Sequence, residues 1–138
     1  MSLVFPDVNV WLALAATHSH RSLARVWWDK EAGPITFCRF TQIGLLRLLT
    51  TPAVLGEETL GMRQAWKVYD TLFSDERVEY AEEPSPIERS FREMSSHHAA
   101  SPKFWADAYL AAFAKEMGGI VVTFDRALVS RFSGILLS

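Results

Sequence analysis

Three aspartates stand at positions where a divalent metal site could form. Asp7 directly follows the short apolar run 3–5, and Asp125 comes two residues after the β-branched run 120–123. Ligands of parallel sheets bind beyond the carboxyl ends of the strands, so both carboxylates are expected at one sheet edge. Either residue alone could equally be a helix N-cap, because aspartate is favoured at that position.

Asp107 is harder to explain by a purely structural role. It lies in the segment 104–114, which is apolar almost all round and is typical of a buried helix. With Ser101 as the N-cap, Asp107 falls in the second turn, beyond a cap and mostly beyond the helix dipole. A lone buried carboxylate is strongly unfavourable unless it is paired or binds a metal. We therefore favour a site role for Asp107 over a structural ion pair.

The chemistry expected of three such carboxylates is phosphodiester hydrolysis. Carboxylates that converge on one edge cannot all remain ionised without a cation. Oxygen ligands supplemented by waters suit Mg²⁺ or Mn²⁺. A metal of this kind activates water and offsets the charge that develops on the phosphoryl group.

The elements that must position these residues alternate along the chain. Strands are predicted over 3–5, 35–38, 78–80, 120–123 and 135–137, and helices over 8–16, 20–32, 41–49, 57–73, 87–97, 103–117 and 126–131. Ser85 and Ser101 are predicted as N-caps, each followed by a proline. This alternation predicts an α/β fold whose central, mostly parallel sheet is flanked by helices in three layers. No linker or internal repeat is visible, so residues 1–138 are expected to form a single domain.

Composition is that of a globular protein: 49% of the 138 residues are hydrophobic and 22% are charged. The single cysteine, Cys38, excludes an internal disulfide and a cysteine-built zinc site. Because there is neither a long apolar run nor a signal-like N-terminus, we expect a cytoplasmic protein without a membrane segment. The net charge of −2 argues against a strongly basic nucleic-acid binder. A bound divalent cation would make the site more attractive to an anion than this charge indicates.

With these residues placed, the chain resembles the PIN-domain ribonucleases, and more closely the toxins of VapBC-type toxin–antitoxin systems. Four blocks, in order and spanning the chain, support the resemblance: 6–11 (PDVNVW), 42–48 (QIGLLRL), 105–112 (WADAYLAA) and 122–126 (VTFDR). The resemblance implies a PIN-like fold and Mg²⁺- or Mn²⁺-dependent endonucleolytic cleavage of RNA. It also implies inhibition by a small cognate antitoxin, and it favours a homodimer.

Roles for individual residues follow from the resemblance. It implies that the catalytic and metal-binding acids are Asp7, Asp107 and Asp125. Asn9 matches a position that supports the first acid, and Thr123 matches a hydroxyl near the last one.

Gln42 departs from the family pattern. It falls in the helix segment where many members carry a glutamate, so the site would have one negative charge fewer and bind metal more weakly. Glu57 or Glu58 could substitute for the missing carboxylate.

Candidate RNA contacts are Arg47, Lys103 and Arg126. Arg47 continues an apolar helix and could reach a phosphate or pair with a site carboxylate. Lys103 and Arg126 lie close in sequence to Asp107 and Asp125, although simple solvation explains them equally well.

Other functions stay open at this point. A haloacid-dehalogenase-type phosphatase needs a second aspartate two residues after the first, and here that position is Asn9. The remaining alternatives are a housekeeping PIN nuclease of RNA maturation and a catalytically degenerate PIN-fold binding module. The degenerate alternative depends on Gln42 breaking the acid set. Metal-dependent RNA cleavage would distinguish the two nuclease functions from the inactive binding module. An adjacent gene for a small antitoxin would favour the toxin over the housekeeping nuclease.

Overall fold

A five-stranded parallel sheet forms the centre of the molecule. The computed structural model describes residues 3–97 and 99–138. The strands are β1 (Val4–Pro6), β2 (Ile35–Phe37), β3 (Val78–Tyr80), β4 (Ile120–Thr123) and β5 (Ile135–Leu136). Their order is β3-β2-β1-β4-β5, and each neighbouring pair is parallel. The predicted α/β fold with a parallel central sheet is confirmed.

Helices connect the strands. In chain order they are α1 (Val8–Ala15), α2 (Arg21–Lys30), α3 (Arg39–Leu49), α4 (Pro52–Leu55), α5 (Met62–Phe73), α6 (Ile87–Ser95), α7 (Phe104–Glu116) and α8 (Arg126–Phe132). Within residues 3–97 and 99–138, none of them combines the length and apolar character needed to cross a bilayer.

Two cores lie on opposite faces of the sheet. Side chains alternate along a strand, so Val4 and Val122 pack with α1, α2, α3 and α5, whereas Phe5 and Val121 pack with α6, α7 and α8. In the first core the rings of Trp11 and Phe37 stack with centroids 3.7 Å apart. This arrangement is the predicted three-layer architecture.

The predicted helix over 57–73 is wrong in its first turn. The chain instead forms α4, a 3₁₀ turn at Gly56–Glu58, and then α5. Gly56 has a φ of 56°, and the Leu60 N–H donates to the Leu49 carbonyl at 2.9 Å. The segment before α5 is therefore held against the end of α3, and tertiary contact overrides the local helical tendency.

The predicted serine caps are also wrong. Pro86 and Lys103 precede α6 and α7, and neither helix has a side-chain cap. The Ser101 carbonyl, rather than its hydroxyl, accepts from the Phe104 N–H at 3.0 Å. Because α7 begins at Phe104, Asp107 lies in its first turn and not in the second. The positive end of the helix dipole therefore acts on this carboxylate.

Close packing sets α3 against α1 beside the end of β1. A Cβ added at Gly44 would lie 2.5 Å from Cγ2 of Val8, the residue that follows Asp7. Only a residue without a side chain allows the two helices to approach so closely.

Candidate metal centre

Asp7 lies at the carboxyl end of β1 and caps α1. Its backbone N–H donates to the Val122 carbonyl at 2.9 Å, which extends the pairing with β4 by one residue. Its Oδ1 accepts from the Val10 N–H at 3.1 Å, and its Oδ2 accepts from the Thr123 hydroxyl. A carboxylate has about four acceptor positions, so both oxygens keep capacity for a further ligand. The N-cap interpretation is correct for Asp7, and it leaves a site role open.

Thr123 connects the ends of β1 and β4. Its side chain is completely buried, and its hydroxyl donates to Asp7 while accepting from the Asp125 N–H at 3.0 Å. A hydroxyl can do both at once because it has one donor and two acceptor positions. One buried oxygen therefore sets the separation between the first and last acids.

Asp125 caps α8. Its Oδ1 accepts from the N–H groups of Ala127 at 2.8 Å and Leu128 at 3.3 Å. The residue is exposed, and within the described residues its Oδ2 makes no hydrogen bond to protein. The free oxygen is therefore open to a ligand from solvent.

The charges of the three acids act on one another. Burial raises the pKa of Asp7 above its usual value, and the charge of Asp107 adds to this, although hydrogen bonds from Thr123, Val10 and Asn9 oppose it. Burial also raises the pKa of Asp107, and the charge of Asp125 raises it further. Asp107 is thus coupled to both strand-end acids, and the fold brings all three predicted carboxylates to one edge.

The three acids form no ion pair with any basic side chain that the structure describes. Across residues 3–97 and 99–138, the ion pairs formed are Asp75 with Arg77 and Glu88 with Arg92. Arg131 and Lys103 lower the pKa of Asp107 through their charge, but neither forms a salt bridge with it. The structural ion pair considered for Asp107 is therefore not present in this part of the chain.

The donor set fits a hard divalent cation, because all of its atoms are carboxylate oxygens and their negative charge has no counterion among the described side chains. As they stand, no three His, Cys, Asp or Glu side chains of the described residues lie close enough together to ligate one ion.

Asn9 supports Asp7 through its backbone. It lies in the first turn of α1 with an exposed side chain, and its N–H bonds to Asp7 and lowers the pKa of that carboxyl. The contact agrees with a supporting position, but it is made by the main chain.

Gln42 does not join the acids. Its side chain is 6% exposed, its Oε1 accepts from Arg39 Nη1 at 2.6 Å, and it also hydrogen-bonds Tyr69 of α5. Successive helix residues are about 100° apart, so two positions of separation place Gln42 away from Gly44, which faces α1. The Gln42 side chain is therefore engaged by Arg39 and Tyr69, and its predicted support of the metal site stays a prediction.

The glutamates considered as substitutes are also occupied elsewhere. Glu57 and Glu58 are both exposed in the 3₁₀ turn. The Glu58 carboxylate accepts from the Thr17 hydroxyl at 3.1 Å. Neither residue appears among the charges that shift the pKa values of Asp7 and Asp107.

The three basic residues predicted to contact RNA lie at different distances from the acids. Lys103 acts on Asp107, and exposed Arg126 directly follows Asp125. Arg47 is exposed in the last turn of α3. It lies about 12 Å along the helix from Arg39, the residue at which α3 begins at the sheet edge.

Two further arginines, Arg131 and Arg39, lie at this edge of the sheet. Arg131 acts on Asp107 and stacks over the Phe104 ring with its guanidinium carbon 4.9 Å from the centroid. Arg39 directly follows the Cys38 cap at the end of β2. Its position after a strand is the signal that could have identified it.

Comparison with known proteins identifies relatives over nearly the whole chain. A model of the PIN domain family matches residues 4–133. The chain is 43% identical to Ribonuclease VapC41 of Mycobacterium tuberculosis over 138 residues, which covers 95% of this chain and 94% of that protein.

Solved structures share the fold. VapC20 of Mycobacterium tuberculosis, described as a toxin that cleaves the sarcin–ricin loop, matches with a TM-score of 0.68 at 16% identity over 98% of each chain. FitAcB of Neisseria gonorrhoeae matches with a TM-score of 0.67 at 16% identity, covering 99% of this chain and 97% of that one.

Proposed function

The chain belongs to the PIN-domain family, and from this premise we propose that it is a metal-dependent endoribonuclease that acts as the toxin of a type II toxin–antitoxin pair. One observation supports this most directly. Asp7, Asp107 and Asp125 act on one another at the carboxyl edge of the sheet, without an ion-pair partner among the described residues. The likeness to Ribonuclease VapC41 supports the assignment to RNA.

In this proposal the three aspartates hold Mg²⁺ or Mn²⁺ and are the catalytic acids. The metal supplies Lewis acidity and an activated water for phosphodiester hydrolysis. Thr123 orients the carboxylate of Asp7, and the cap of α8 orients Asp125. Lys103, whose charge acts on Asp107, and exposed Arg126 contact the RNA backbone in this proposal.

We further propose that residues 1–138 act as one PIN-like domain and that two copies form a homodimer in the cytoplasm. A small cognate antitoxin inhibits the enzyme, and a basic side chain inserted among the acids would pair with Asp7 and Asp107 where the metal binds.

The alternative of an inactive binding module rests on the lack of a fourth carboxylate beside the three aspartates, and Gln42, whose amide bonds to Arg39, does not supply one. Metal-dependent cleavage by the purified protein separates this alternative from the proposed enzyme. A housekeeping nuclease of RNA maturation stays as the competing outcome of the test below.

Expression of the wild-type chain alone is expected to arrest bacterial growth, and co-expression of a small neighbouring antitoxin gene should relieve the arrest. The purified protein should cleave total RNA in Mg²⁺ or Mn²⁺ and lose this activity in EDTA. The measurements are growth curves and RNA electrophoresis, with Asp70→Asn as a surface control. Cleavage that persists in EDTA would contradict metal dependence, whereas active enzyme without arrest would favour the housekeeping role.

Thr123→Val is expected to lower RNA cleavage by about ten- to a hundredfold, because Asp7 loses the hydroxyl that orients it. The fold should lose about 1–3 kcal/mol, since the partly buried Asp125 N–H is left without its acceptor. Thr123→Ser keeps both hydrogen bonds and should retain most activity. Cleavage rates and denaturant melts of the three proteins test this, and full activity in Thr123→Val would exclude the positioning role.

A further inference from the structure

Arg39 lies at the same edge of the sheet as the acids. Strands β1 and β2 are parallel neighbours with Val4 level with Ile35, so Asp7 and Cys38 leave the sheet side by side. Arg39 is the next residue and the first of α3. Neighbouring strands are about 4.8 Å apart, so the Arg39 backbone lies at this edge about one strand spacing from Asp7. Its guanidinium lies over Tyr80 of β3, on the side of β2 away from β1.

The Arg39 side chain is held in place by neutral groups. Its Nη1 donates to Gln42 Oε1 at 2.6 Å, and its guanidinium carbon lies 5.0 Å from the centre of the Tyr80 ring. Gln42 is itself buried and bonded to Tyr69. An amide and an aromatic ring fix a guanidinium without removing its charge.

The charge of Arg39 is free to meet an anion. Within residues 3–97 and 99–138 it forms no salt bridge, unlike Arg77 and Arg92. Glu82 follows Tyr80 closely in the chain, but it does not pair with Arg39. A guanidinium has five N–H donors, so the single bond to Gln42 leaves most of them available.

We propose that Arg39 binds the RNA backbone at the sheet edge that carries the acids, on the β3 side, and that Gln42 is its positioning residue and not a metal ligand. This inference rests on the proposed ribonuclease function. The inference explains why position 42 carries an amide and not a carboxylate. A glutamate there would pair with Arg39 and neutralise the charge that the RNA phosphate needs, whereas glutamine keeps both the hydrogen bond and the charge.

The first test measures RNA binding in EDTA, where cleavage is prevented. A fluorescein-labelled RNA stem–loop is titrated by anisotropy over a series of salt concentrations. Arg39→Gln should weaken binding about tenfold at low salt and reduce the slope of log K against log salt by about 0.7–1, because one phosphate contact is lost. Arg39→Lys should keep the slope, since the charge remains. Arg92→Gln, a surface arginine of α6, is the matched control and should behave as wild type.

The second test separates the two roles for Gln42. Gln42→Glu should lower RNA affinity and the salt slope as Arg39→Gln does, because the new carboxylate pairs with Arg39. Its Mn²⁺ affinity, measured by calorimetry, should equal that of the wild type. Thermal melts report whether each variant folds, and Gln42→Leu shows the effect of losing the hydrogen bond without adding charge.

The outcomes separate the inference from the proposed function. If folded Arg39→Gln keeps the wild-type slope of log K against log salt, the phosphate contact is overturned. If the wild-type protein still cleaves RNA, the ribonuclease function is retained. Tighter Mn²⁺ binding by Gln42→Glu overturns the positioning role and returns position 42 to the metal site. A wild-type protein that neither binds nor cleaves RNA overturns both.

Discussion

Asp7→Asn is expected to abolish RNA cleavage while the protein stays folded. The substitution removes one of three carboxylates proposed to hold the metal, so activity should fall by about a thousandfold or more, or about 4 kcal/mol of transition-state stabilisation. The cap of α1 should survive, since asparagine caps a helix as well as aspartate does. The measurement is the single-turnover cleavage rate of a labelled RNA in Mn²⁺. Near wild-type cleavage by the folded variant would remove Asp7 from the site.

The same variant should change how stability depends on pH. Burial and the charge of Asp107 raise the folded-state pKa of Asp7 above the ordinary value of 3.8, so the folded protein holds this proton more tightly than the unfolded chain. The stability linked to the protonated form is present below that ordinary value and is lost as pH rises through the folded-state pKa. The neutral amide that Asp7→Asn introduces has no such proton to lose.

Denaturant melts in EDTA across this pH range test the linkage. Asp7→Asn should match or exceed the wild type in unfolding free energy at neutral pH and should show a smaller decline, because only the contribution of Asp107, whose pKa is also raised, remains. Asp7→Ala is the matched control, because it removes the charge together with the cap. Its unfolding free energy should be about 1 kcal/mol below that of Asp7→Asn. An unchanged pH dependence in Asp7→Asn would show that this carboxyl does not titrate abnormally.

Mn²⁺ is expected to stabilise the wild type strongly and to have little effect on Asp107→Asn. A ligand at a hundred times its Kd stabilises the folded state by about 2.7 kcal/mol, which raises the Tm of a domain of this size by about 10 °C. Asp107 is the acid coupled to both others, so its loss removes the charge on which binding depends.

Thermal melts with Mn²⁺ and with EDTA measure this effect. Asp70→Asn, which changes an exposed acid of α5, serves as the control and should keep the full metal-dependent shift. In EDTA, Asp107→Asn should melt no lower than the wild type, because a repulsive charge is gone. A full Mn²⁺ shift in Asp107→Asn would place the metal elsewhere.

The sequence by itself determined the alternation of strands and helices and the edge at which the acids lie. The apolar runs that end at Asp7 and Asp125 are local patterns, and they predict a parallel sheet. In a parallel sheet the carboxyl ends of the strands lie at one edge, whatever the details of side-chain packing. The oddity of Asp107 was also visible, since a carboxylate in an apolar helix is unfavourable without a partner. Local sequence patterns indicate the hydrophobic period of each helix or strand and the approximate positions at which it ends.

Tertiary structure alone decided the contacts between elements. The bond from Thr123 to Asp7 joins residues far apart in the chain, and the rotation of α3 that turns Gln42 toward Tyr69 follows from the packing of Gly44 against Val8. The break before α5 depends on the Leu60 bond to Leu49. Each of these contacts depends on where another element sits, and the period of a single helix or strand does not contain that information.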